Sequence, residues 1–290
     1  MSFQKRLLSG EFVVLAEMNT PKGVDTSQLI QNARRIKGRV DAVIVPDMDD
    51  GVMRMSALAG AVLMHQQGME ALIHVYCRDR NRMALQADLL AAYALGVESL
   101  IVVSGEDICN GDHQEAKAVN DLDELGLFGA LRCLEQGSDL GGSELTGAPV
   151  FSVGCAIPQC ADEKSLECQL ELAAKKVEAG AKFILSPPVF DIGRFQAFLS
   201  KAKGLKTPII STVYLLKSVG AARYIATNEP EAGISEELIR RIRKASDRER
   251  ECVRIAAETI TALKGLCQGV RIITLGWEHK LPDVLEYAGL

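Results

Sequence analysis

The chain of 290 residues lacks the patterns that mark several function classes. It has no basic block and a net charge of -5, so a nucleic-acid surface, which needs clustered Lys and Arg, is not expected. Charges interrupt every apolar run before it reaches membrane-spanning length, and the first residues lack the apolar core and cleavage site of a signal peptide. We therefore expect a cytoplasmic protein with no membrane partner.

Metal and redox motifs are also missing. The eight cysteines include no CxxC pair, and the four histidines include no HExxH motif. We therefore predict no metal ligands and expect most thiols to be buried in a reducing compartment. Cys155, Cys160 and Cys168 cluster around the fifth apolar run, which leaves a metal or redox role open for them.

Nucleotide fingerprints are absent as well. No GxGxxG follows an apolar run, and no GxxxxGK[ST] occurs. The Gly-rich segment SDLGGSELTGAP enters a predicted strand, whereas a phosphate cradle follows a strand and opens a helix. A Rossmann or P-loop mechanism therefore has no support.

Eight short apolar runs, rich in Val and Ile, recur along the chain with amphipathic stretches between them. This alternation is typical of parallel strands joined by crossover helices. In chain order the runs are FVVLAE, DAVIV, ALIHVY, SLIVVSG, PVFSVGCA, KFILS, TPIIST and VRIITL, the sixth being stopped by Pro187 and Pro188. The pattern predicts an α/β fold, a single (β/α)8 TIM barrel in one domain over residues 1–290.

Active sites of such barrels lie at the C-terminal ends of the strands. The predicted strand ends carry Glu17, Asp47, residues 78–80, residues 105–107, residues 158–159, Ser186 and residues 277–279. Glu17 has two interpretations: a general acid whose pKa is raised by burial, or a salt-bridged rim carboxylate. Glu106 follows a glycine that allows close backbone approach to a ligand. By position alone, His74 is a satisfied core histidine and Lys176 a solvated charge near a helix C-terminus.

Longer stretches narrow the prediction. The third and fourth units read DMDDGVMRMSALAGAVLMHQQGMEALIHVYCRDRNRMALQADLLAAYALGVESLIVVSGED, followed by DLDELGLFGALRCLEQGSDLGGSEL, KKVEAGAKFILSPPVFD and TPIISTVYLLKSVGAARYI. In order and spacing, these stretches resemble the methylenetetrahydrofolate reductase family, especially its branch also found fused to homocysteine methyltransferase domains. The resemblance covers essentially the whole chain.

The resemblance implies a flavin enzyme, with FAD or alternatively FMN, that reduces 5,10-methylenetetrahydrofolate to 5-methyltetrahydrofolate. Glu17 in LAEMNTPKG resembles the family's strand-one glutamate, which protonates N10 so that the folate ring opens to an iminium. In VSGED, Ser104 precedes Gly105 and Glu106, which match a Gly-Asp pair at the isoalloxazine edge. Glu106 is one methylene longer than that Asp, and the resemblance gives it a catalytic as well as a flavin-binding role.

Two further cofactor-binding residues follow from the same resemblance. His74 in IHVYC matches a flavin-contacting histidine, and Lys176 in KKVEAGA aligns with a lysine near the cofactor phosphates. The chain departs from the family pattern elsewhere. Pro187 replaces a substrate-contacting Gln, Trp277 stands where many relatives carry a shorter or basic residue, and Gln169 replaces a frequent Asp near the cofactor. 

These departures leave alternatives open. A non-reducing relative would bind a pterin or serve as an interaction subunit, and a corrinoid-linked methyltransferase barrel would transfer a methyl group without flavin. For the reductase, the resemblance implies methylenetetrahydrofolate as substrate and NAD(P)H or a redox partner protein as electron donor. The short N-terminus, without a regulatory extension, favours an oligomer or a subunit of a larger complex.

Overall fold

The computed structural model describes residues 2–290, which form a closed barrel of eight parallel strands. Strands pair in chain order, and the last pairs with the first to close the sheet. The strands are β1 (Val13–Glu17), β2 (Ala42–Val45), β3 (Ala71–Tyr76), β4 (Ser99–Val103), β5 (Ser152–Ala156), β6 (Phe183–Pro188), β7 (Ile209–Tyr214) and β8 (Gly269–Ile273). The predicted single (β/α)8 TIM barrel is confirmed.

Helices cover the outside of the barrel and close one end. They are α1 (Phe3–Leu8), α2 (Ser27–Ile36), α3 (Ala57–Gln66), α4 (Arg82–Ala94), α5 (Glu124–Glu135), α6 (Glu163–Glu178), α7 (Ile192–Ala202), α8 (Val219–Asn228), α9 (Glu236–Lys244), α10 (Arg248–Leu263) and α11 (Leu281–Tyr287). A break separates α9 from α10, where the Asp247 side chain accepts from the Arg250 backbone N–H and starts α10. Within residues 2–290, no helix is long and apolar enough to cross a membrane.

Alternation along the strands decides which side chains enter the barrel. Successive strand residues point to opposite faces. In β1, Val13 and Leu15 pack in the interior cluster, whereas Val14 and Ala16 pack in the cluster shared with the helices. The inward row of β1 therefore continues to Glu17 at the C-terminal end.

The same alternation operates in β3 and β8. Leu72 packs in the interior cluster and Ile73 in the outer one, so His74 continues the inward row of β3. Val270 and Ile272 of β8 pack in the outer cluster, so Arg271 between them points into the barrel. Three strands thus bring ionisable side chains to the interior of the same barrel end.

The N-terminal end of the barrel is closed by α1, for which the sequence analysis predicted no element. Phe3 and Leu7 are buried in the interior cluster, and the Phe3 ring packs edge-on against Phe183, with centroids 5.4 Å apart. The C-terminal end is therefore the one left for a ligand.

The prediction that Pro187 and Pro188 stop β6 is wrong. The strand includes both prolines, with an irregular register between Leu185 and Pro188. Proline has no backbone N–H to donate. Side-chain hydrogen bonds between β6 and β7 therefore replace part of the backbone pairing. Ser186 Oγ accepts from the Thr212 backbone N–H at 3.2 Å, and Thr212 Oγ1 donates to the Ser186 carbonyl at 2.8 Å.

Candidate active site

A cavity of about 840 Å³ opens at the C-terminal ends of the strands. Its size lies within the range of small-molecule and cofactor sites. Glu17, His74, Ser104, Glu106 and Lys176 all line it. Side chains predicted from four different segments of the sequence therefore lie around one cavity.

Glu17 is buried in this cavity and paired with Arg271. Arg271 Nε donates to Glu17 Oε2 at 2.8 Å, and its Nη2 donates to the same oxygen. Burial raises the pKa of Glu17 to about 7, although Arg271 pulls it down. Glu17 is therefore salt-bridged and also has a raised pKa, and its role as a general acid stays a prediction.

Arg271 was not among the predicted site residues. A signal for it was present, because it is the only charge in the apolar run VRIITL and it occupies the inward position between two outward-facing residues. Alternation within the strand could have shown that its guanidinium points into the barrel. Its partner, 254 positions earlier in the chain, could not have been found in that way.

His74 takes part in a second buried network, with Tyr76 and Asp49. His74 Nδ1 lies 3.3 Å from Tyr76 Oη, which donates to Asp49 Oδ1 at 2.6 Å. His74 Nε2 is buried and has no hydrogen-bond partner among the described residues. Burial lowers the pKa of His74 to about 3, so the ring is neutral. The interpretation as a satisfied core histidine is therefore wrong for one of its two nitrogens.

Both the backbone conformation at position 105 and the close packing around it require a glycine. Its φ is +92°, a region that L-residues rarely adopt. An added Cβ would lie 2.8 Å from Tyr76 Cδ1 and 3.1 Å from Arg78 Cβ. This turn presents its neighbours Ser104 and Glu106 to the cavity.

Glu106 forms an acidic group with Asp49 and Asp50, whose carboxylates lie within 4.8 Å of one another. Partial burial and these two neighbours raise the pKa of Glu106. Neither aspartate was among the predicted site residues, and both lie in the loop after β2. The grouping makes one side of the cavity entrance acidic.

Lys176 is only 2% exposed, so the prediction of a solvated charge is wrong. Its Nζ lies 2.5 Å from Glu124 Oε1 at the start of α5. The neighbouring Lys175 is exposed. The buried pair joins α5 to α6 and forms part of the cavity wall.

Several polar residues predicted for the rim hold the scaffold together. Asp47 accepts from the Ala57 backbone N–H at 2.9 Å and pairs with Arg80 at 2.7 Å. Arg78 donates to the backbone carbonyls of Met48 and Glu106, which braces the loops after β2 and β4.

The positions that depart from the family pattern divide into two groups. Pro187 and Gln169 line the cavity. Trp277 packs against the outer core.

The three cysteines near β5 differ in exposure. Cys155 is fully buried, and burial raises the pKa of its thiol to about 12. Cys160 Sγ lies 3.4 Å from the Pro158 carbonyl, and Cys168 is exposed on α6. They do not form a common cluster of potential metal ligands with other described residues.

Comparison with known proteins gives a family and a fold. A family model described as methylenetetrahydrofolate reductase matches residues 2–289. Comparison with curated proteins finds no match. Among solved structures, the long-chain alkane monooxygenase LadA is 11% identical with a TM-score of 0.52, over 96% of this chain and 90% of that one. A structure from Aquifex aeolicus VF5 is 10% identical with a TM-score of 0.52, over 99% of this chain and 95% of that one. At these identities, the two structures show a shared barrel fold.

Proposed function

The chain belongs to the methylenetetrahydrofolate reductase family, and from that premise we propose that it is a flavin-dependent enzyme that reduces 5,10-methylenetetrahydrofolate to 5-methyltetrahydrofolate. The observation that carries the proposal is Glu17. A carboxyl with a pKa of about 7 holds a proton in about half of the molecules at neutral pH and can release it to a bound substrate.

The cavity suits a flavin in its size and in the groups it leaves unsatisfied. Two buried polar atoms of cavity-lining residues, His74 Nε2 and Asn19 Oδ1, have no partner among the described residues. Ring N–H and ribityl hydroxyl groups are donors of the kind they lack. His74, Ser104, Gly105 and Glu106 would hold the ring system.

The cavity residues fit the phosphate groups of a flavin cofactor less directly. The cationic side chains that line the cavity are Arg54, Lys176, Lys217 and Arg271, and each already contacts a protein oxygen. Lys176 would contact a cofactor phosphate only by sharing its charge with Glu124. FAD is the cofactor that we propose, with FMN as the alternative that lacks the adenylate.

When bound, the flavin supplies the hydride. Glu17 supplies the proton to the substrate nitrogen, and Arg271 holds Oε2 so that Oε1 is the oxygen free of the guanidinium. Burial favours the protonated carboxyl, so about half of the molecules hold this proton at neutral pH until substrate takes it. Glu106, which lines the same cavity, is proposed to hold the pterin. The electron donor is proposed to be NAD(P)H or a redox partner protein.

A second candidate is a folate-binding subunit that does not reduce its ligand. The Glu17–Arg271 pair favours it, because an ionised glutamate could anchor a cationic or N–H group instead of donating a proton. Both candidates predict folate binding, and only the first predicts electron transfer.

The test is a half-reaction. The purified chain is loaded with FAD, reduced anaerobically, and mixed with methylenetetrahydrofolate while the flavin absorbance is followed. We expect reoxidation of the flavin with formation of 5-methyltetrahydrofolate. Reduced flavin that persists in the presence of bound folate would support the second candidate and overturn the first.

A Glu17→Gln variant is the matched control. It should bind FAD and accept electrons from dithionite, yet lose at least about 10²-fold in the rate of reoxidation, the contribution typical of a general acid. Unchanged reoxidation would remove Glu17 from the mechanism.

A further inference from the structure

His74, Tyr76 and Asp49 form a hydrogen-bonded chain that runs into the cavity. The Tyr76 hydroxyl lies between the other two, 2.6 Å from Asp49 Oδ1 and 3.3 Å from His74 Nδ1. Tyr76 and His74 are both buried, and all three side chains line the cavity. Only the far ring nitrogen of His74, Nε2, is left without a partner among the described residues.

The chemistry of Tyr76 and Asp49 gives this hydrogen-bonded chain a direction. A phenol has one proton to donate, and a carboxylate can only accept. The Tyr76 proton therefore points to Asp49, and the phenol oxygen is left to accept from the other side. His74 satisfies that acceptor only if Nδ1 carries the imidazole proton, and a neutral ring then has no proton on Nε2.

We propose that Asp49 and Tyr76 hold His74 in the Nδ1–H tautomer, so that its bare Nε2 accepts a hydrogen bond from an N–H or O–H group of the ligand. Asp49 and Tyr76 are thus positioning residues, and His74 is the contact. The site selects for a donor and disfavours a ligand acceptor at the same point, because two facing lone pairs would leave both atoms unsatisfied in a buried place.

The surroundings of His74 agree with a neutral ring. The charged groups that act on it are Arg271 and Asp49; burial and Arg271 both oppose a second ring proton, whereas Asp49 favours one less strongly. Imidazolium would donate from both nitrogens, and this state is suppressed. Nε2 is therefore an acceptor across the neutral pH range.

The identity of the ligand group rests on the proposed function, whereas the tautomer does not. If the ligand is a flavin, the isoalloxazine imide N–H is a donor of the required class, and ribityl hydroxyls are others. The tautomer is a property of the free protein and can be measured without any ligand.

The experiment is nitrogen NMR of the full-length chain labelled with ¹⁵N-histidine and free of flavin. The chain has four histidines, and a His74→Gln variant identifies the His74 signals. We expect Nδ1 to carry the proton and Nε2 to show the shift of an unprotonated nitrogen. A protonated Nε2 in the wild type would overturn the proposal.

Two variants test the origin of the tautomer. Tyr76→Phe keeps the ring and removes the phenol, so the preference for Nδ1–H should be lost; Tyr93→Phe, on α4, is the control. Asp49→Asn keeps the shape but offers a donor as well as an acceptor, so a mixture of tautomers is expected. If Tyr76→Phe fails to fold, Asp49→Asn alone decides, and an unchanged tautomer in either folded variant would overturn the proposal.

Addition of FAD then separates this inference from the proposed function. If FAD binds, the Nε2 shift should move in the direction of an accepted hydrogen bond, and the dissociation constant should rise roughly three- to tenfold in Tyr76→Phe. If FAD does not bind while His74 remains Nδ1–H, the proposed function fails and the tautomer stands. FAD that binds without moving the Nε2 shift would overturn the acceptor role of His74.

Discussion

Glu17 and Arg271 oppose each other within one buried pair. Burial favours the neutral carboxyl, while the guanidinium favours the carboxylate, and the resulting pKa of Glu17 is about 7. A general acid is most effective when its pKa is close to the working pH. The two effects together therefore make Glu17 a better acid at neutral pH than an exposed glutamate or a deeply buried unpaired one would be.

Replacing Arg271 by Met should move the pH profile upward. A required acid is active below its pKa, so kcat/KM should fall as the pH rises through about 7 in the wild type. Arg271→Met removes the charge that lowers the pKa of Glu17, and the fall should occur at higher pH. Arg271→Lys keeps a positive charge beside Glu17, so the pH at which kcat/KM falls should shift less.

The measurement is kcat/KM against pH for the three proteins, with FAD occupancy checked by absorbance. A fall that stays at the same pH in Arg271→Met would show that Glu17 is not the group that titrates. 

The pair of Lys176 and Glu124 joins two helices at the cavity wall. Removing one partner of a buried ion pair leaves a charge without compensation, which costs about 3–5 kcal/mol. Lys176→Met should therefore lower the free energy of unfolding by an amount of that order. Lys175→Met, one residue earlier and exposed on the same helix, should change it by less than about 0.5 kcal/mol.

Urea unfolding of both variants, followed by circular dichroism, measures this difference. Equal midpoints for the two would show that the pair adds no stability, and the role of Lys176 would then be confined to ligand binding.

The contact between β5 and β6 depends on the absence of a side chain. A Cβ added at Gly154 would lie 2.3 Å from Phe183 Cε2, within the interior of the barrel. Gly154→Ala must displace that ring or the strand, and we expect a loss of roughly 1–3 kcal/mol or more. Gly129→Ala on α5 meets nothing within 4 Å and should stabilise by about 0.5–1 kcal/mol through helix propensity.

Thermal unfolding of the two alanine variants tests this difference in sign. A Gly154→Ala variant as stable as the wild type would mean that Phe183 can move aside without cost, and the tight packing between β5 and β6 would not matter for stability.

The molecule as a whole is closed at two places, where β8 pairs with β1 and where α1 fills the N-terminal end. Because strands β1 to β7 contribute to one interior cluster, we expect a single cooperative unfolding transition. A ligand that binds only the folded barrel stabilises it by about 2.7 kcal/mol at a concentration of 100 Kd.

FAD at that excess should therefore raise the midpoint of the transition, recorded by circular dichroism and by the fluorescence of Trp277. ATP at the same concentration serves as a control for phosphate and adenine. An equal rise with both compounds would show that the isoalloxazine ring is not what the cavity binds.

Local pattern was sufficient for the order of the strands and for much of the site. Strands of a parallel barrel are buried on both faces and read as continuous apolar runs, so these runs alone indicated eight strands and left Glu17 and Glu106 at their ends. The break before α10 was equally local, since Asp247 caps the helix through its own neighbours. In each case the determining contacts lie within a few residues.

Only the tertiary structure decided how these side chains are paired. Closure of the barrel brings Arg271 to Glu17 across 254 positions, and the loop after β2 brings Asp49 to Tyr76. Lys176 was wrongly predicted as solvated because its partner, Glu124, belongs to another helix. Protonation states depend on burial and on such distant partners, and so the sequence determined which groups reach the cavity, while the closed barrel determined what each can do there.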